Sequence, residues 1–441
     1  MNKRPIAILF VTLFIDMLGF GLILPLLPVY IKHYGGSPLV SGLLMASFSF
    51  TQFLFAPIWG RLSDRYGRRP FILLSLFGSA FTYLSFGLAT SLTMLFVARL
   101  ASGVLTAAGM PTSQAYITDV TTPENRAGGM AVLGAAFGLG FAFGPAIGGV
   151  LSHYSVLGLP SIATPSIFAA LMALTNAIVA LFALPESHKD RIASQNDGKR
   201  WYDAFIDVNR AMKNPNASRP IMVFTLLTFA FAAVESCFSW LVLLRFHEAI
   251  ELAAQKTYAL TNPGLSWLQA LPNVRLDFIE KAQGSATSQL FLIVGITILI
   301  TQGAVMGGLS KRIGEKQLIC FGLGLLTLAL FGIAMAPTLP LIKVLSAMIA
   351  IGSGVSNPSL SAIIMQSAKH EDRGLISGAQ QGLSSLARIF APPINNYLVG
   401  VNSAVPFVIS GFLMGMSFLV SLSLKAIPRS KGAKAEAPLA H

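Results

Sequence analysis

The stretch GRLSDRYG at residues 60–67 returns as GGLSKRIG at residues 307–314, an offset of 247 positions. Several separated matches at one offset indicate two copies of one structural unit. Six long apolar segments separate the two stretches, so both lie on the same side of any membrane that the segments cross. The sequence therefore predicts two related halves. The same offset pairs Pro111 with Pro358, Glu124 with Glu371, Arg126 with Arg373, and Pro145 with Pro392.

The apolar runs are long enough to cross about 30 Å of hydrocarbon as helices. Of the 441 residues, 54% are hydrophobic and only 11% are charged, too few charges to cover a soluble domain. Since a helix satisfies its backbone polar groups internally in lipid, we expect an all-α membrane protein with twelve transmembrane helices in two six-helix halves. These spans, numbered 1 to 12, are predicted at residues 6–30, 43–59, 71–89, 92–110, 130–151, 162–184, 221–245, 290–309, 318–336, 340–367, 375–398 and 405–426.

The distribution of lysine and arginine predicts the orientation. With both termini in the cytoplasm, the inside segments hold 23 of the 31 basic residues and the outside segments hold 4. This asymmetry is typical of a multi-pass protein of the inner (plasma) membrane. The short basic loops also argue against nucleic acid as a partner, despite a net charge of +13. The first span is too long for a cleaved signal peptide, and Cys237 and Cys320 fall inside apolar runs, so no disulfide framework is implied.

The offset of the repeat changes before span 8, because RPI at residues 4–6 aligns with RPI at residues 219–221. The difference predicts an insertion in the outer loop at residues 247–288. Its part 265–282 is a candidate amphipathic helix on the membrane surface, although Pro272 interrupts it. The predicted domains are the N-terminal half (1–184), a cytoplasmic linker (185–219), the C-terminal half (220–430) and a cytoplasmic tail (431–441).

The loop between spans 2 and 3 is a candidate cytoplasmic gate. Its glycines permit a tight turn. Asp64 is able to accept hydrogen bonds from an arginine or from a helix N-terminus across the seam between the halves. The alternative is a purely topogenic basic loop, but the second copy at residues 307–314 favours a structural role. The gate residues are Gly60, Asp64, Arg65, Gly67 and Arg68.

This loop resembles the signature of the major facilitator superfamily, and other stretches resemble its drug/proton antiporters. These stretches are FIDMLGFGLILPLLP at residues 14–28, ARLASG at 98–103 and GLGFAFGPAIGG at 138–149. LPESHK at residues 184–189 is similar to tetracycline exporters in particular. The resemblance covers the whole chain except the insertion, and it implies proton-coupled export by alternating access. Two departures concern the substrate: Thr82 stands near where tetracycline exporters carry an acid, and predicted span 9 has no carboxylate.

Three charges inside spans are candidates for proton coupling: Asp16, Arg99 and Glu235. Intramembrane charges are costly and therefore functional candidates by default. The alternatives are a capping or packing role for Asp16, snorkelling of Arg99 to the membrane surface, and buried pairing of Glu235. In span 5, Gly140, Gly144 and Gly148 form a smooth stripe and Pro145 is expected to kink the helix, as in the antiporter motif that it resembles.

Polar and aromatic side chains inside spans predict a substrate cavity for an amphiphilic molecule, although such residues often only bridge helices. The leading hypothesis is a proton-coupled antiporter that exports drugs or metabolites; the alternatives are a dedicated exporter of one metabolite, such as a siderophore, and a non-transporting membrane sensor. No catalytic set, metal cluster or nucleotide-binding motif stands out, so we expect no enzyme and no cofactor. Separately, we expect a monomer in the lipid bilayer, with protons and a small molecule as its transported partners. The cavity candidates are Gln52, Gln114, Trp240, Gln302, Asn357, Gln381 and Arg388.

Overall fold

The computed structural model of the protein describes residues 3–156, 159–187, 210, 212–213, 215–263, 266–267, 270–305, 313–367 and 373–424. The predicted tail, residues 431–441, lies outside this described part, as does most of the predicted linker. Within it, ten helices are long and apolar enough to cross a membrane. Predicted spans 5 and 11 are also continuous helices, Pro123–Leu151 and Arg373–Val401. The expected twelve-helix architecture is confirmed.

The N-terminal half contains spans 1 to 6. Proline stands in the first turn of several of them, where its missing N–H costs no hydrogen bond. Span 1 runs over Lys3–Ile23, a 3₁₀ turn Leu24–Leu26 and Leu27–His33; span 4 is divided into Leu92–Thr106 and Gly109–Val120. The remaining spans are Pro38–Tyr66, Arg68–Gly87, Pro123–Leu151 and, after a 3₁₀ turn Ser161–Ala163, Thr164–Ala183.

The C-terminal half contains spans 7 to 12 and one additional helix, His247–Thr261, which we call the outer helix. After the predicted orientation, we use outer for the end of the spans opposite the loop at residues 60–67 and inner for the end that carries this loop. Span 8 ends in a π-helical turn, Thr301–Val305. The repeat is visible in the backbone, because Gly67 (φ +102°) and Gly314 (φ +94°), one repeat offset apart, both adopt a conformation that favours glycine. The spans are Pro215–Arg245, Pro272–Ile300, Glu315–Met335, Leu339–Gln366, Arg373–Val401 and Val405–Leu422.

The insertion differs from its prediction. Residues 265–282 are not one surface helix, because Pro272 begins a helix that continues into span 8. A proline at the first helical position is pre-organised for a helix start, so it marks a beginning here and not an interruption. Span 8 therefore extends well beyond the outer surface that was expected at residue 290. The outer helix packs against this extension.

Two helix pairs join the halves: span 2 with span 11, and span 5 with span 8. Both pairs are in close contact toward their outer ends. A Cβ placed on Gly42 would lie 2.5 Å from the Pro392 carbonyl oxygen, and one on Gly149 would lie 2.5 Å from Ser288 Cβ. The largest apolar core combines the part of span 1 after Ile23 with buried residues along the length of spans 7 to 10.

The inner ends of the same four helices are spread apart. A Cβ placed on Gly60, Gly138, Gly303 or Gly378 would have no heavy atom within 4 Å, apart from its own local backbone. These glycines lie on spans 2, 5, 8 and 11, respectively. The halves therefore meet at the end opposite the loop at residues 60–67 and leave a space between them that opens toward that loop.

Candidate functional site

Asp16 lies in the middle of span 1 and is held by span 3. The Ser79 hydroxyl donates to Asp16 Oδ1 at 2.7 Å, and the Tyr83 hydroxyl donates to the Asp16 backbone carbonyl at 3.2 Å. The described residues show no cation within ion-pair distance of the carboxylate. Within the described part of the chain, Asp16 therefore has one side-chain hydrogen bond and no counter-charge.

Arg99 is buried in span 4, so snorkelling to the membrane surface does not describe its place here. Its guanidinium lies over two aromatic rings, 5.2 Å from the centroid of Phe86 and 5.8 Å from that of Phe48. Its Nε atom is buried without a hydrogen-bond partner. The Tyr83 phenol is close enough to both Asp16 and Arg99 to interact electrostatically with each of them.

The glycines of span 5 allow its close contact with span 1. A Cβ placed on Gly140 would lie 2.6 Å from Met17 Cβ, one on Gly144 would lie 2.7 Å from the Leu18 carbonyl oxygen, and one on Gly148 would lie 2.6 Å from the Leu22 carbonyl oxygen. These distances are below any normal carbon contact. The smooth stripe thus faces the helix that carries Asp16, and Pro145 lies within the same continuous helix.

The gate loop is held together by contacts inside the N-terminal half. Arg68 pairs with Asp64 one turn earlier, and its Nε atom lies 3.3 Å from Asp119 at the end of span 4. Arg68 also donates to Ser63 Oγ at 2.8 Å. Asp64, a candidate for a contact across the seam between the halves, is half-exposed and paired with Arg68 in its own loop.

Sequence reasoning missed the role of Glu186, which follows span 6. Its carboxylate accepts hydrogen bonds from the backbone N–H groups of Arg68 at 2.9 Å and Arg69 at 3.2 Å. It therefore occupies the positive N-terminal end of span 3. A Cβ on Gly67 would lie 2.5 Å from this carboxylate, which is a second reason for glycine there. The sequence offers an acidic residue directly after span 6 and a basic loop before span 3. It does not reveal that these two segments, more than a hundred positions apart, lie next to each other.

A cavity of about 350 Å³ lies between the halves and is lined mostly by the C-terminal one. It brings together four predicted residues: Glu235 of span 7, Gln302 of span 8, Asn357 of span 10 and Arg388 of span 11. Gly138 of span 5 lies on the opposite side. Glu235 and Arg388 attract each other electrostatically, but their charged atoms do not come within the 4.0 Å of an ion pair. The buried pairing considered as an alternative for Glu235 is therefore not formed in this conformation.

The other cavity candidates lie elsewhere. Gln52, Gln114 and Gln381 do not line this cavity. Trp240 is buried at the outer contact between the halves, and its indole N–H donates to Ser41 Oγ of span 2 at 2.9 Å. Its placement differs from the prediction because the aromatic ring joins the halves instead of facing the open space.

Polar contacts also join the halves at the extended end of span 8. His33, at the end of span 1, lies 3.2 Å from the buried carboxylate of Glu280. Ser161 donates to Asp277 at 3.1 Å. Burial and, to a smaller extent, the nearby Glu280 charge raise the pKa of the Tyr34 phenol. We call these two pairs, His33–Glu280 and Ser161–Asp277, the outer latch. The described residues contain no group of three potential metal ligands.

Comparisons with known proteins agree with this architecture. The sequence matches the profile of the Major Facilitator Superfamily over residues 9–271 and 258–441. Multidrug resistance protein 2 of Bacillus subtilis is 28% identical over 98% of this chain and 96% of its own length. The class H tetracycline resistance protein of Pasteurella multocida is 29% identical over 89% of this chain and 88% of its own.

Solved structures share the fold. The human organic anion transporter MFSD10 (TETRAN) superposes with a TM-score of 0.65 at 24% identity, covering 95% of this chain and 99% of that one. A bacterial homologue of the human lysosomal transporter Spinster, in an inward-facing and unoccupied conformation, gives a TM-score of 0.68 at 13% identity, covering 97% and 99%.

Proposed function

The chain belongs to the Major Facilitator Superfamily, and from that premise we propose that it is a proton-coupled antiporter of the inner membrane that exports small amphiphilic molecules. The superfamily consists of membrane transporters of small molecules and not of enzymes. Relatives named for multidrug and tetracycline resistance support drug export as the direction of transport.

One observation carries the proposed coupling: Asp16 lies in mid-span with Ser79 as its hydrogen-bond donor, and the described part of the chain offers it no ion-pair partner. A neutral carboxyl group is cheap to keep in a membrane, whereas an ionised one needs water or a cation. A conformation that hydrates Asp16 or brings it a cation therefore favours proton release. Protonation and conformation then bias each other, as coupled exchange requires.

Arg99 is the cation that tunes this exchange in our proposal. It interacts electrostatically with Tyr83, as Asp16 does, and its buried Nε lacks a hydrogen-bond partner among the described residues. A small rearrangement of spans 1, 3 and 4 would bring the two charges closer and stabilise the ionised Asp16. Glu235 in the cavity is a second candidate for proton exchange, at the place where substrate is expected.

The arrangement of the halves supports alternating access. If the basic loops are cytoplasmic, as their charge predicts, the open space faces the cytoplasm and the outer latch closes the other side. Substrate then enters from the cytoplasm, and the halves rock about the cavity to open the outer side. The glycine stripe keeps span 5 closely packed on span 1, so that span 5 can move together with the rest of its half.

The proposal is tested in proteoliposomes with an imposed pH gradient and a panel of drugs that includes tetracycline. We expect substrate-dependent proton movement with wild-type protein. Asp16→Asn should reduce uphill transport to the level of empty liposomes while downhill exchange persists. Glu248→Gln removes an exposed carboxylate of the outer helix and serves as the control. Wild-type transport whose rate does not depend on the pH gradient would exclude proton coupling. Transport of one metabolite class and of no other compound in the panel would favour the dedicated exporter.

A further inference from the structure

The cavity contains two opposite charges that the protein does not pair with each other. Among the described residues, neither Glu235 nor Arg388 has a hydrogen bond or an ion pair within 4.0 Å. Arg388 is exposed to the open space, and Glu235 is partly exposed. They lie on different helices, spans 7 and 11, and they are close enough to attract each other electrostatically. A ligand able to reach both charges finds them unoccupied.

The remaining wall of the cavity is mostly apolar. Phe224, Leu227 and Phe231 of span 7 and Ile298 of span 8 line it together with the two charges. Amide groups of Gln302 and Asn357 add neutral hydrogen-bonding capacity. An apolar wall with a few convergent polar groups is typical of a site that buries the body of a small molecule and orients its polar end.

The charge pattern discriminates among ligands. A ligand that carries only a positive charge is attracted by Glu235 but repelled by Arg388. A ligand that carries only a negative charge is attracted by Arg388 but repelled by Glu235. A neutral molecule displaces water from both charged side chains without offering either of them a charged partner. This loss of hydration costs free energy. A molecule that carries both charges at one end of an apolar body satisfies both side chains at once.

We infer that this cavity binds zwitterionic amphiphiles, with the cationic group of the substrate at Glu235 and its anionic group at Arg388. The inference rests on the proposed function in treating this cavity as the transport site. It also gives Glu235 one role in both binding and coupling, because a substrate ammonium and a proton compete for the same carboxylate.

The test uses four probes that share one fluorophore and differ only in charge. Nε-dansyl-lysine is the zwitterion, its methyl ester is the cation, its Nα-acetyl derivative is the anion, and the doubly blocked compound is neutral. Binding is measured by dansyl fluorescence with purified full-length protein in nanodiscs, without a gradient. We expect the zwitterion to bind wild-type protein about tenfold or more tightly than each other probe, because charge-assisted hydrogen bonds form at both ends.

Two substitutions separate the two ends. Glu235→Gln should make the zwitterion bind no better than the anion, and Arg388→Gln should make it bind no better than the cation. The neutral probe should bind all variants with similar affinity, which shows that the cavity remains folded. Glu248→Gln and Lys343→Gln, which remove charges outside the cavity, should leave the wild-type order of affinities intact.

Three results would overturn the inference: no binding of the zwitterion to wild-type protein, equal binding of all four probes, or an equal loss for all four probes in each variant. None of these results depends on proton coupling. A zwitterion preference without gradient-driven transport would therefore retain the inference and reject the antiport mechanism. Gradient-driven transport without the preference would do the reverse.

Discussion

Gly144 sets the distance between spans 1 and 5. The atoms nearest to a Cβ at this position are backbone atoms of span 1: the Leu18 carbonyl oxygen at 2.7 Å and Gly21 Cα at 2.8 Å. Backbone atoms of a packed helix do not move aside as the end of a side chain does. An added methyl group must therefore push the two helices apart.

We expect Gly144→Ala to destabilise the folded protein by about 1–3 kcal/mol, the usual cost of overpacking. Gly138→Ala is the matched control, because it lies on the same helix with no heavy atom within 4 Å of the new Cβ. That control should be neutral or stabilising, since alanine favours helix over glycine. Apparent melting temperatures in detergent compare the two. Equal melting temperatures would show that span 5 is not held this closely.

A functional residue could be predicted where its charge contrasts with the apolar residues around it in the sequence. A residue whose role depends on a partner far away in the sequence could not be predicted. Asp16, Arg99, Glu235 and Arg388 stand out because charge is rare inside spans. Ser79 does not stand out, yet it donates the hydrogen bond to Asp16 from 63 positions away. Glu186 caps a helix that begins 118 positions earlier in the chain.

At the scale of elements, hydrophobic runs predicted each span, whereas span ends depended on local chemistry. Span 8 begins at Pro272, well before its predicted start at residue 290, because a polar helix extends beyond the expected membrane surface. The hydropathy of the sequence predicts which residues lie in the hydrocarbon, but not how far a helix continues beyond it. The extension carries Asp277 and Glu280 to the N-terminal half, so the insertion contributes an additional contact to closure of the outer side.

We expect His33→Ala to weaken this closure. Glu280 is buried, and in the described part of the chain His33 is its only ion-pair partner. Without His33, the carboxylate gains hydration when the outer ends of the halves separate, so the substitution favours the outward-open conformation. A lost hydrogen bond to a charged group is worth about 1.5–3 kcal/mol, so the outward-open fraction should rise roughly tenfold or more. Spin labels at Thr90→Cys and Thr338→Cys, exposed residues of opposite halves, report the distance between the outer ends.

His247→Ala is the matched control for this experiment. His247 is an exposed histidine of the outer helix and pairs with Glu251 of the same helix at 3.9 Å. Its removal should leave the distance distribution between the spin labels unchanged. Identical distributions for His33→Ala and wild type would show that the outer latch contributes nothing to closure.

At the scale of the whole molecule, the repeat and the charge pattern predicted two halves and their orientation, but no sequence pattern showed which side would be closed. Closure is decided by the sum of contacts between halves, such as the Trp240–Ser41 hydrogen bond and the close packing at Gly42. Such contacts exist in one conformation and are absent in another. A single sequence encodes both conformations, so the pattern alone does not choose between them.

Transport should require the outer ends of spans 2 and 11 to separate, and a reversible cross-link tests this requirement. A Cβ on Gly400 would lie 3.8 Å from Pro38 Cβ in the other half, a separation that suits a disulfide at about 3.8 Å. Pro38→Cys with Gly400→Cys, in protein with Cys237→Ala and Cys320→Ala, should lose transport on oxidation and regain it on reduction. Dansyl-lysine binding should persist throughout, because the cavity remains open at its other end.

The control cross-link joins two spans of one half. A Cβ on Gly87 would lie 3.2 Å from Ser166 Cβ, slightly closer than in a disulfide, so a small outward shift lets Gly87→Cys with Ser166→Cys link spans 3 and 6 near the same side. If the halves move as rigid bodies, this second disulfide should leave transport unchanged, since no distance inside a half has to alter. Full transport with the cross-half disulfide formed would exclude rocking of the halves about the cavity. Loss of transport with both disulfides would instead place the essential movement inside the N-terminal half, where Asp16, Tyr83 and Arg99 lie.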